Sequence, residues 1–383
     1  MPLVATVDSR IRAADRIRVT VDSRLSEHIR IRVDDSGPLP FSTFMSLALY
    51  DPDEGFYSRR ATPYEDYFTS VSVHPTLFGR MLTVHLDDVW RVLGYPDPFR
   101  IVELGAVDGR LADQIRSGAT DFAWSKTLVY VAVERASNVE MVEAVDTQYR
   151  SIAEVEPLEA SAIISNEFFD ALPVRLVRRT DDGWVEECVD FDGHRAFFTD
   201  QPAVTALLEY AERYAKSTPI GGRIEVRQDV DDIYSYAAGL AERIVMTTID
   251  YGGTSNAVHS ERLSAGTLMA YRRQQASEDV LANPGQADLT AHVNFSQLID
   301  AGRFHGFTNN CLGFQADFLV ALGVGDHLVE VQKRGETKLA AYTAEREAVF
   351  QLVSPTDLGR FGVLTQGMGA DLSCIRGFTD VIE

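Results

Sequence analysis

FRIVELGAVDGR, from Phe99 to Arg110, is the stretch that decides the fold. Its first half is an apolar run typical of a parallel strand that is covered on both faces. Gly105 and Gly109 then permit backbone conformations that let a ligand approach closely. The apolar positions from Leu111 to Ile115 follow at helical spacing, so the amino terminus of a predicted helix points back at the turn. The order of strand, glycine turn and helix indicates a site for a nucleotide-type cofactor, although a lone glycine turn also occurs for packing.

The next strand strengthens this interpretation. Thr127 to Val133 is a second apolar run, and it ends at Glu134, 25 positions beyond Gly109. An acidic residue about 20 positions after the glycine turn, at the end of the second strand, is where a carboxylate holds the two ribose hydroxyls. A dinucleotide and S-adenosylmethionine both fit this arrangement. Glu103 favours S-adenosylmethionine, because a carboxylate beside the turn repels a pyrophosphate and attracts the ammonium of a methionine.

The composition argues against a membrane protein, a nucleic-acid-binding protein and a metalloprotein. The chain has 383 residues, 45% of them hydrophobic, which is enough for a large core. No apolar run approaches the roughly 20 residues that cross a bilayer, so we expect a soluble protein with no membrane partner. The formal net charge of −21 argues against a nucleic-acid partner. Cys188, Cys311 and Cys374 lack the spacing of a zinc site or a disulfide framework, so we expect no metal and a cytoplasmic location.

The pattern divides the chain into three parts. Residues 1–36 are predicted to form a β-rich arm, because Arg16 to Val19 and Ile29 to Val33 alternate polar and apolar residues. Two strands are barely stable alone, so the arm is expected to dock on the body or to form a homodimer. Residues 37–98 are predicted to hold helices and a lid loop that covers the cofactor through Thr69 and Ser70. Residues 99–383 are predicted to form a Rossmann-like domain with an insertion around 174–242.

Several long motifs resemble one family. They are GPLPFSTFMSLALYDPDEGFY, DYFTSVSVHPTLFG, VELGAVDGRL, SNEFFDALPV, DYGG, GTLMAYRR, GQADLTAHVNF and SPTDLGRFGVL, and they span roughly Gly37 to Gly367. In this order they resemble the MidA-like methyltransferases, a family that includes mitochondrial complex I assembly factors. The resemblance implies an α/β fold, namely the class I seven-stranded methyltransferase sheet with helical insertions. It also implies S-adenosylmethionine as cofactor and a protein arginine as one possible acceptor.

The segment after the third predicted strand supplies the candidate acceptor residues. A strand from Ala162 to Ser165 delivers Asn166, Glu167 and Asp170 to the carboxyl edge of the sheet, where open α/β sheets bind ligands. We expect Asn166 to contact the cofactor. Glu167 and Asp170 are candidates for orienting the acceptor, because a guanidinium pairs with carboxylates in a planar fork. Asp170 could instead cap the helix that follows it.

Further downstream, three alternating segments between Val174 and Phe198 predict a β-meander appended to the main sheet. A strand from Ile244 to Ile249 should bring Asp250 and Tyr251 to the edge that carries Glu167. His292 is a possible proton acceptor, although a single histidine beside apolar residues is more often structural.

The chain departs from the family pattern in four places. Val107 replaces the middle glycine of G-x-G-x-G, and if that position needs a positive φ, a β-branched residue there costs about 1–2 kcal/mol. Val71-Ser72 replaces a Pro-Glu pair in the lid loop. Gln274 and Asn294 replace a histidine and an aspartate, which suggests a changed acceptor.

Together these patterns predict an S-adenosylmethionine-dependent methyltransferase. It would transfer the methyl group in line to a nitrogen or oxygen of a protein side chain or of a specialised small molecule. Glu103, Gly105, Gly109 and Glu134 would hold the cofactor. Two alternatives stay open: a catalytically silent partner that keeps the fold, as the change at Val107 suggests, and a nicotinamide-dependent enzyme.

Overall fold

The computed structural model describes residues 24–59, 69–136, 139–193, 195–333 and 339–378. The helices are α1 (Arg24–Ser36), α2 (Phe41–Tyr50), α3 (Phe56–Arg59), α4 (Leu77–Val92), α5 (Arg110–Gly118), α6 (Thr205–Tyr214), α7 (Val230–Ala238), α8 (Ser255–Val258), α9 (Phe295–Phe304), α10 (Gln315–Ala321), α11 (Val324–Lys333) and α12 (Leu339–Val353). The strands are β1 (Leu39–Pro40), β2 (Phe99–Leu104), β3 (Leu128–Val133), β4 (Thr147–Tyr149), β5 (Ala160–Asn166), β6 (Val174–Thr180), β7 (Gly183–Phe191), β8 (Ala196–Pro202), β9 (Arg223–Arg227), β10 (Arg243–Asp250), β11 (Gly252–Gly253), β12 (Met269–Arg272), β13 (Gln275–Ser277), β14 (Asp288–Thr290), β15 (Val293–Asn294), β16 (Asn309–Phe314) and β17 (Gly362–Met368).

A seven-stranded sheet forms the centre of the fold. Its strand order is β16-β17-β10-β5-β2-β3-β4, and only the pairs that involve β17 are antiparallel. All six residues of β2 are buried, as expected of a strand that is covered on both faces. The predicted class I methyltransferase sheet is therefore confirmed.

The strand register brings the candidate residues to one edge. Leu104, the last residue of β2, lies opposite Val133 of β3 and Ser165 of β5. Asn166 lies opposite Ile249 of β10. The residues that follow these four strands therefore emerge side by side at the carboxyl edge of the sheet, which is where the sequence predicted a ligand site.

The predicted β-meander forms a sheet of its own. Strands β6, β7 and β8 pair antiparallel, and β9 and β1 extend the same sheet. The expectation that the meander extends the main sheet is thus wrong. Its apolar face packs instead with α1 and α2 in a separate core that includes Leu25, Phe41 and Leu176.

The prediction of a strand at Ile29 to Val33 is also wrong, because these residues lie within α1. Leu25, Ile29 and Val33 recur every four residues and are buried, whereas Ile31 is 47% exposed. The buried residues therefore follow the period of a helix, and the alternation of Ile29, Ile31 and Val33 does not reflect a strand. The strand predicted at 16–19 lies outside the described residues, as does the first part of the lid loop.

Within the described ranges, no helix is long and apolar enough to cross a membrane. The three cysteines are free, and only Cys374 is exposed. Across the same part of the chain, no cluster of histidine, cysteine and carboxyl groups is arranged to hold a metal ion.

Candidate active site

The glycine turn after β2 adopts left-handed backbone conformations. Gly105 has φ 72°, Val107 φ 51° and Gly109 φ 80°. A Cβ atom at Gly105 would lie 2.9 Å from Cδ2 of Phe168, so the turn leaves no room for a side chain there. Val107 thus meets the condition under which the sequence attached a cost to a valine here, because it adopts a positive φ despite its β-branched side chain.

Glu134, which follows the neighbouring strand β3, hydrogen-bonds to this turn. Its carboxylate accepts hydrogen bonds from the backbone N–H groups of Val107, at 2.9 Å, and Ala136, at 2.8 Å. Burial raises the pKa of Glu134, and these backbone donors act against that rise. A carboxylate has about four acceptor positions, so two backbone bonds leave capacity for two hydroxyl donors.

A cavity of about 460 Å³ opens beside the glycine turn, and we call it the glycine-turn cavity. Its volume lies within the range of about 300–1,000 Å³ typical of small-molecule sites. The sequence-predicted residues in its wall are Gly105, Glu134 and Glu167. Other residues in the wall are Tyr50, Tyr57, Leu104, Val107, Arg135, Ile152, Phe168, Asp229 and Tyr236.

Five predicted cofactor residues lie outside this wall: Glu103, Gly109 and Asn166, and, in the lid loop, Thr69 and Ser70. Glu103 is buried on the other face of β2, where it accepts a hydrogen bond of 2.8 Å from the Tyr130 hydroxyl, and burial raises its pKa to about 8. Gly109 is the N-cap of α5, and a Cβ atom there would lie 2.8 Å from Cγ2 of Val145. Asn166 donates from Nδ2 to Oε1 of Glu167 at 2.9 Å.

The described end of the lid loop also contacts Glu167. The backbone N–H of Ser70 donates to Oε1 of Glu167 at 3.2 Å, and the Ser70 hydroxyl donates to Oε1 of Gln315 at 3.0 Å. Thr69 and Ser72 hydrogen-bond to each other and shape the turn. Thr69 and Ser70 do not line the cavity, and of the two only Ser70 hydrogen-bonds to Glu167 and so helps to position it.

A second cavity, of about 290 Å³, lies on the other side of Glu167, and we call it the carboxyl cavity. Three buried or half-buried carboxyl groups face it, from Glu167, Asp170 and Asp288. The rest of its wall includes Tyr57, Tyr251, Tyr271, Gln274, Thr290, His292, Asp357, Arg360 and Phe361. Tyr57 and Glu167 belong to the walls of both cavities.

Burial and mutual repulsion raise the pKa values of these carboxyl groups. Desolvation, followed by the charge of Asp170, raises the pKa of Glu167 to about 8. The same causes raise the pKa of Asp288 to about 7, and desolvation raises the pKa of Asp170. Oδ1 of Asp170 is buried with no hydrogen-bond partner among the described residues. The cavity therefore holds closely spaced carboxyl groups that a cation would stabilise in their ionised form.

His292 and Tyr251 line the carboxyl cavity, and Tyr251 lies at the edge that carries Glu167, as its position in the sequence predicted. Their rings meet edge to face, with centroids 5.6 Å apart. Burial, followed by the charge of Arg360, lowers the pKa of His292 to about 4. The imidazole is therefore neutral at pH 7 and is a weaker proton acceptor than Glu167.

The departures from the family pattern fall in different places. Gln274 lines the carboxyl cavity and has φ 62°. Asn294 lies outside its wall and is the N-cap of α9, where Oδ1 accepts from the backbone N–H of Ser296 at 3.1 Å. Of these two changes, only the one at Gln274 alters the lining of the cavity.

Sequence reasoning missed Tyr57 and Asp288. The Tyr57 hydroxyl donates to Oδ1 of Asp288 at 2.8 Å, across 231 residues of sequence. Asp288 lies inside the motif GQADLTAHVNF, which was a signal for the site, but nothing in the local sequence places β14 against the edge of the main sheet.

Comparison with protein families gives an independent result. A family model described as "Putative S-adenosyl-L-methionine-dependent methyltransferase" matches residues 81–312, more than half of the chain. A protein of Xenopus tropicalis named protein arginine methyltransferase NDUFAF7, mitochondrial, is 26% identical over an alignment of 345 positions that covers 80% of this chain and 76% of that protein. The human protein of the same name is 27% identical over an alignment of 312 positions that covers 71% of this chain and 67% of that protein.

Solved structures agree with this result. A protein of Burkholderia thailandensis, described as a COG1565 superfamily member and likely methyl transferase bound to S-adenosyl-homocysteine, is 26% identical and superposes with a TM-score of 0.76. The match covers 92% of this chain and 95% of that chain. A native structure of a COG1565 superfamily protein from the same organism has a TM-score of 0.78.

The residues of the glycine-turn cavity fit S-adenosylmethionine. Glu134 has free acceptor capacity for ribose hydroxyls, and Gly105 lines the cavity with backbone atoms only. The orphaned Oδ1 of Asn166, buried beside Glu167, could accept from a further donor. Apolar wall residues such as Leu104 and Ile152 provide a surface for a purine.

Proposed function

We propose that this chain, which belongs to the family of S-adenosyl-L-methionine-dependent methyltransferases, transfers the methyl group to the guanidinium of a protein arginine. One observation carries the proposal: three buried or half-buried carboxyl groups face a single cavity that shares Glu167 with the glycine-turn cavity. A guanidinium remains charged in proteins and has five donors, so carboxylates suit it better than they suit a neutral or anionic acceptor. The names of the relatives favour the same acceptor.

The carboxyl group of Asp170 supports a donor-rich acceptor, because it is buried and only part of its acceptor capacity is used. The Tyr251 hydroxyl interacts with this carboxyl group, and the remaining acceptor positions can take a guanidinium N–H. The positive charge would also lower the pKa of Glu167 and Asp288 toward their usual range, because it favours the ionised carboxylates. Acceptor binding would thus prepare Glu167 as a carboxylate.

Glu167 is our candidate for the proton acceptor. When bound, S-adenosylmethionine supplies an electrophilic methyl group. The guanidinium nitrogen that gains this carbon must release a proton, and a carboxylate at the junction of the two cavities can take it. Asn166 and Ser70 fix the orientation of this carboxylate by donating to its Oε1. Holding methyl donor and acceptor in one geometry can contribute up to about 7–11 kcal/mol.

The test is methyl transfer to matched peptides. The chain is incubated with deuterated S-adenosylmethionine and peptides that differ only in arginine, lysine or glutamine at one position, and the products are analysed by mass spectrometry. We expect methylation of the arginine peptide alone, and a loss of at least tenfold in kcat/KM for Asp288→Asn. Asp121→Asn is the control, since Asp121 is exposed and lies outside both cavities. Equal or greater transfer to the glutamine peptide would contradict the proposal.

The compartment is a separate proposal. We propose that the protein works in the cytoplasm. Its three cysteines are free and one of them is exposed, which is compatible with a reducing compartment. The relatives named above are called mitochondrial. Imaging of a tagged full-length chain in its own cells tests the proposal, and enrichment in another compartment would contradict it.

A further inference from the structure

Tyr57 lies where the two cavities meet. Within the described residues, it shares this position only with Glu167, since no other residue belongs to both walls. Tyr57 comes from α3, which is not part of the methyltransferase sheet. The methyl group has to pass from one cavity to the other, so the side chains at the junction lie beside its path.

The ring of Tyr57 is held by other aromatic rings. It stacks on Tyr50, with centroids 5.4 Å apart and planes inclined by 27°. It also meets Phe56 edge to face at 5.2 Å, and Phe56 is fully buried. Tyr50 is itself fixed, because its hydroxyl donates to the carbonyl of Ala171 at 3.2 Å and the guanidinium of Arg135 lies 4.6 Å from its centroid. The position of the Tyr57 ring is therefore set by packing before any ligand binds.

The hydroxyl of Tyr57 faces the other cavity. It donates to Oδ1 of Asp288 at 2.8 Å, and Asp288 is one of the three carboxyl groups of the carboxyl cavity. Tyr57 thus lines the glycine-turn cavity, and its hydroxyl bonds to a carboxyl group of the carboxyl cavity. The ring and the hydroxyl can be removed separately, by substitution with leucine or with phenylalanine.

An aromatic ring can bind the positive charge that the cofactor carries. The face of an aromatic ring attracts cations. S-adenosylmethionine carries a positively charged sulfonium, whereas S-adenosylhomocysteine, which remains after transfer, has a neutral thioether. A ring beside the sulfur would therefore bind the substrate form more tightly than the product form.

We propose that the ring of Tyr57 contacts the sulfonium group and that its hydroxyl orients Asp288 for the acceptor. The first part rests on the cofactor of the family and on the position of the ring at the junction. The second part rests on the proposed guanidinium acceptor. Tyr57 would then favour binding of the charged cofactor and release of the neutral product, and it would hold a carboxyl group in place for the acceptor.

The first part is tested by calorimetric titration with each cofactor form and without an acceptor. We expect Tyr57→Leu to weaken S-adenosylmethionine binding about tenfold and to change S-adenosylhomocysteine binding less than about twofold. Tyr57→Phe should keep the wild-type ratio of the two affinities. S-adenosylhomocysteine binding also reports whether the variant has folded, and Tyr57→Met replaces Tyr57→Leu if it has not. An equal loss for both ligands, or no loss for either, would overturn this part.

The second part is tested with the arginine peptide. We expect Tyr57→Phe to raise its KM by about threefold to tenfold, as for the loss of one hydrogen bond, with kcat less affected. An unchanged KM would overturn this part. If no arginine peptide is methylated, the proposed acceptor is wrong, while the affinity ratio still decides the role of the ring.

Discussion

Val107 and Glu167 are non-glycine residues at positive φ, 51° and 52°, and both belong to the wall of the glycine-turn cavity. Such conformations cost about 1–3 kcal/mol each and persist where the surrounding structure imposes them. At Val107, the hydrogen bond from its N–H to Glu134 imposes the conformation. At Glu167, the N–H donates to the carbonyl of Ile249 while the side chain accepts from Ser70 and Asn166. The backbone at both residues is thus fixed by the contacts that build the site.

Val107→Gly should stabilise the protein. Relief of left-handed strain at a β-branched residue gains about 1–2 kcal/mol, and the greater freedom of glycine in the unfolded chain costs about 0.5–1 kcal/mol. The Val107 side chain is only half-buried, so little packing is lost. We expect the free energy of unfolding to rise by up to about 1 kcal/mol, measured by chemical denaturation. A loss of stability would mean that the valine side chain contributes more than its backbone costs.

Glu134→Gln and Glu103→Gln test separately the two carboxyl groups that the sequence assigned to the cofactor. Loss of a charged acceptor for hydroxyl groups costs about 1.5–3 kcal/mol, so the Kd for S-adenosylmethionine should rise at least tenfold. Glu103→Gln is the matched control. Its side chain bonds to Tyr130 outside the cavity, so its Kd should stay within about twofold of wild type. Titration calorimetry measures both, and a larger effect at Glu103 would contradict the assignment.

The contrast between these two glutamates shows what sequence could predict. The position of Glu134 beside the glycine turn was predictable because the strand that follows such a turn ends at the same edge of the sheet, and its role as a ribose ligand stays a prediction. Glu103 was assigned from its closeness to Gly105 in sequence, but neighbouring strand residues point to opposite faces. Leu104 lines the cavity, so Glu103 faces away from it.

At the scale of elements, the helices around the sheet were harder to predict than the sheet. Strand β2 could be predicted because a strand covered on both faces is apolar throughout. Tyr57 on α3 and Asp288 on β14 meet only because tertiary packing brings two distant segments to one edge. Local sequence carries no information about that approach.

The lid loop is tied to the carboxyl-terminal helices through Gln315. This fully buried side chain accepts from the Ser70 hydroxyl and donates to the carbonyl of Leu352 in α12 at 3.1 Å. Its backbone N–H donates to the carbonyl of Phe361, in the wall of the carboxyl cavity. One residue therefore connects the loop that contacts Glu167 with α12 and with the carboxyl cavity.

Gln315→Leu should destabilise the protein. The substitution leaves the Ser70 hydroxyl and the Leu352 carbonyl without their partner, at about 1–3 kcal/mol for each buried group. We expect the free energy of unfolding to fall by about 2–4 kcal/mol. Gln351→Leu, at an exposed position on α12, should change it by less than about 0.5 kcal/mol. Similar values for both variants would show that Gln315 does not tie these elements together.

At the scale of the whole molecule, buried acids make stability depend on pH. The pKa is raised to about 8 for Glu103 and Glu167 and to about 7 for Asp288, so the folded state binds more protons than the unfolded state above pH 6.5. Stability must then fall as pH rises, by about 1–2 kcal/mol for each carboxyl group between pH 6.5 and 8. The buried His85 and His259 and the half-buried His292 have pKa values lowered to about 4, and they act in the opposite direction only below about pH 6.5.

Urea unfolding without ligand at pH 6.5 and pH 8 checks this dependence. We expect the wild type to be less stable at pH 8. Glu103→Gln, which fixes the neutral form of a buried carboxyl group outside both cavities, should reduce the difference. A free energy of unfolding that rises toward pH 8 would show that these carboxyl groups are already ionised in the folded protein.

The most direct measurement is a crystal structure of the chain with S-adenosylhomocysteine and an arginine peptide. The account predicts that the ribose hydroxyls donate to Glu134 and that the guanidinium nitrogens lie within hydrogen-bond distance of Glu167 and Asp170. A ribose bound away from Glu134, or an arginine side chain that stays outside the carboxyl cavity while the product is bound, would contradict it.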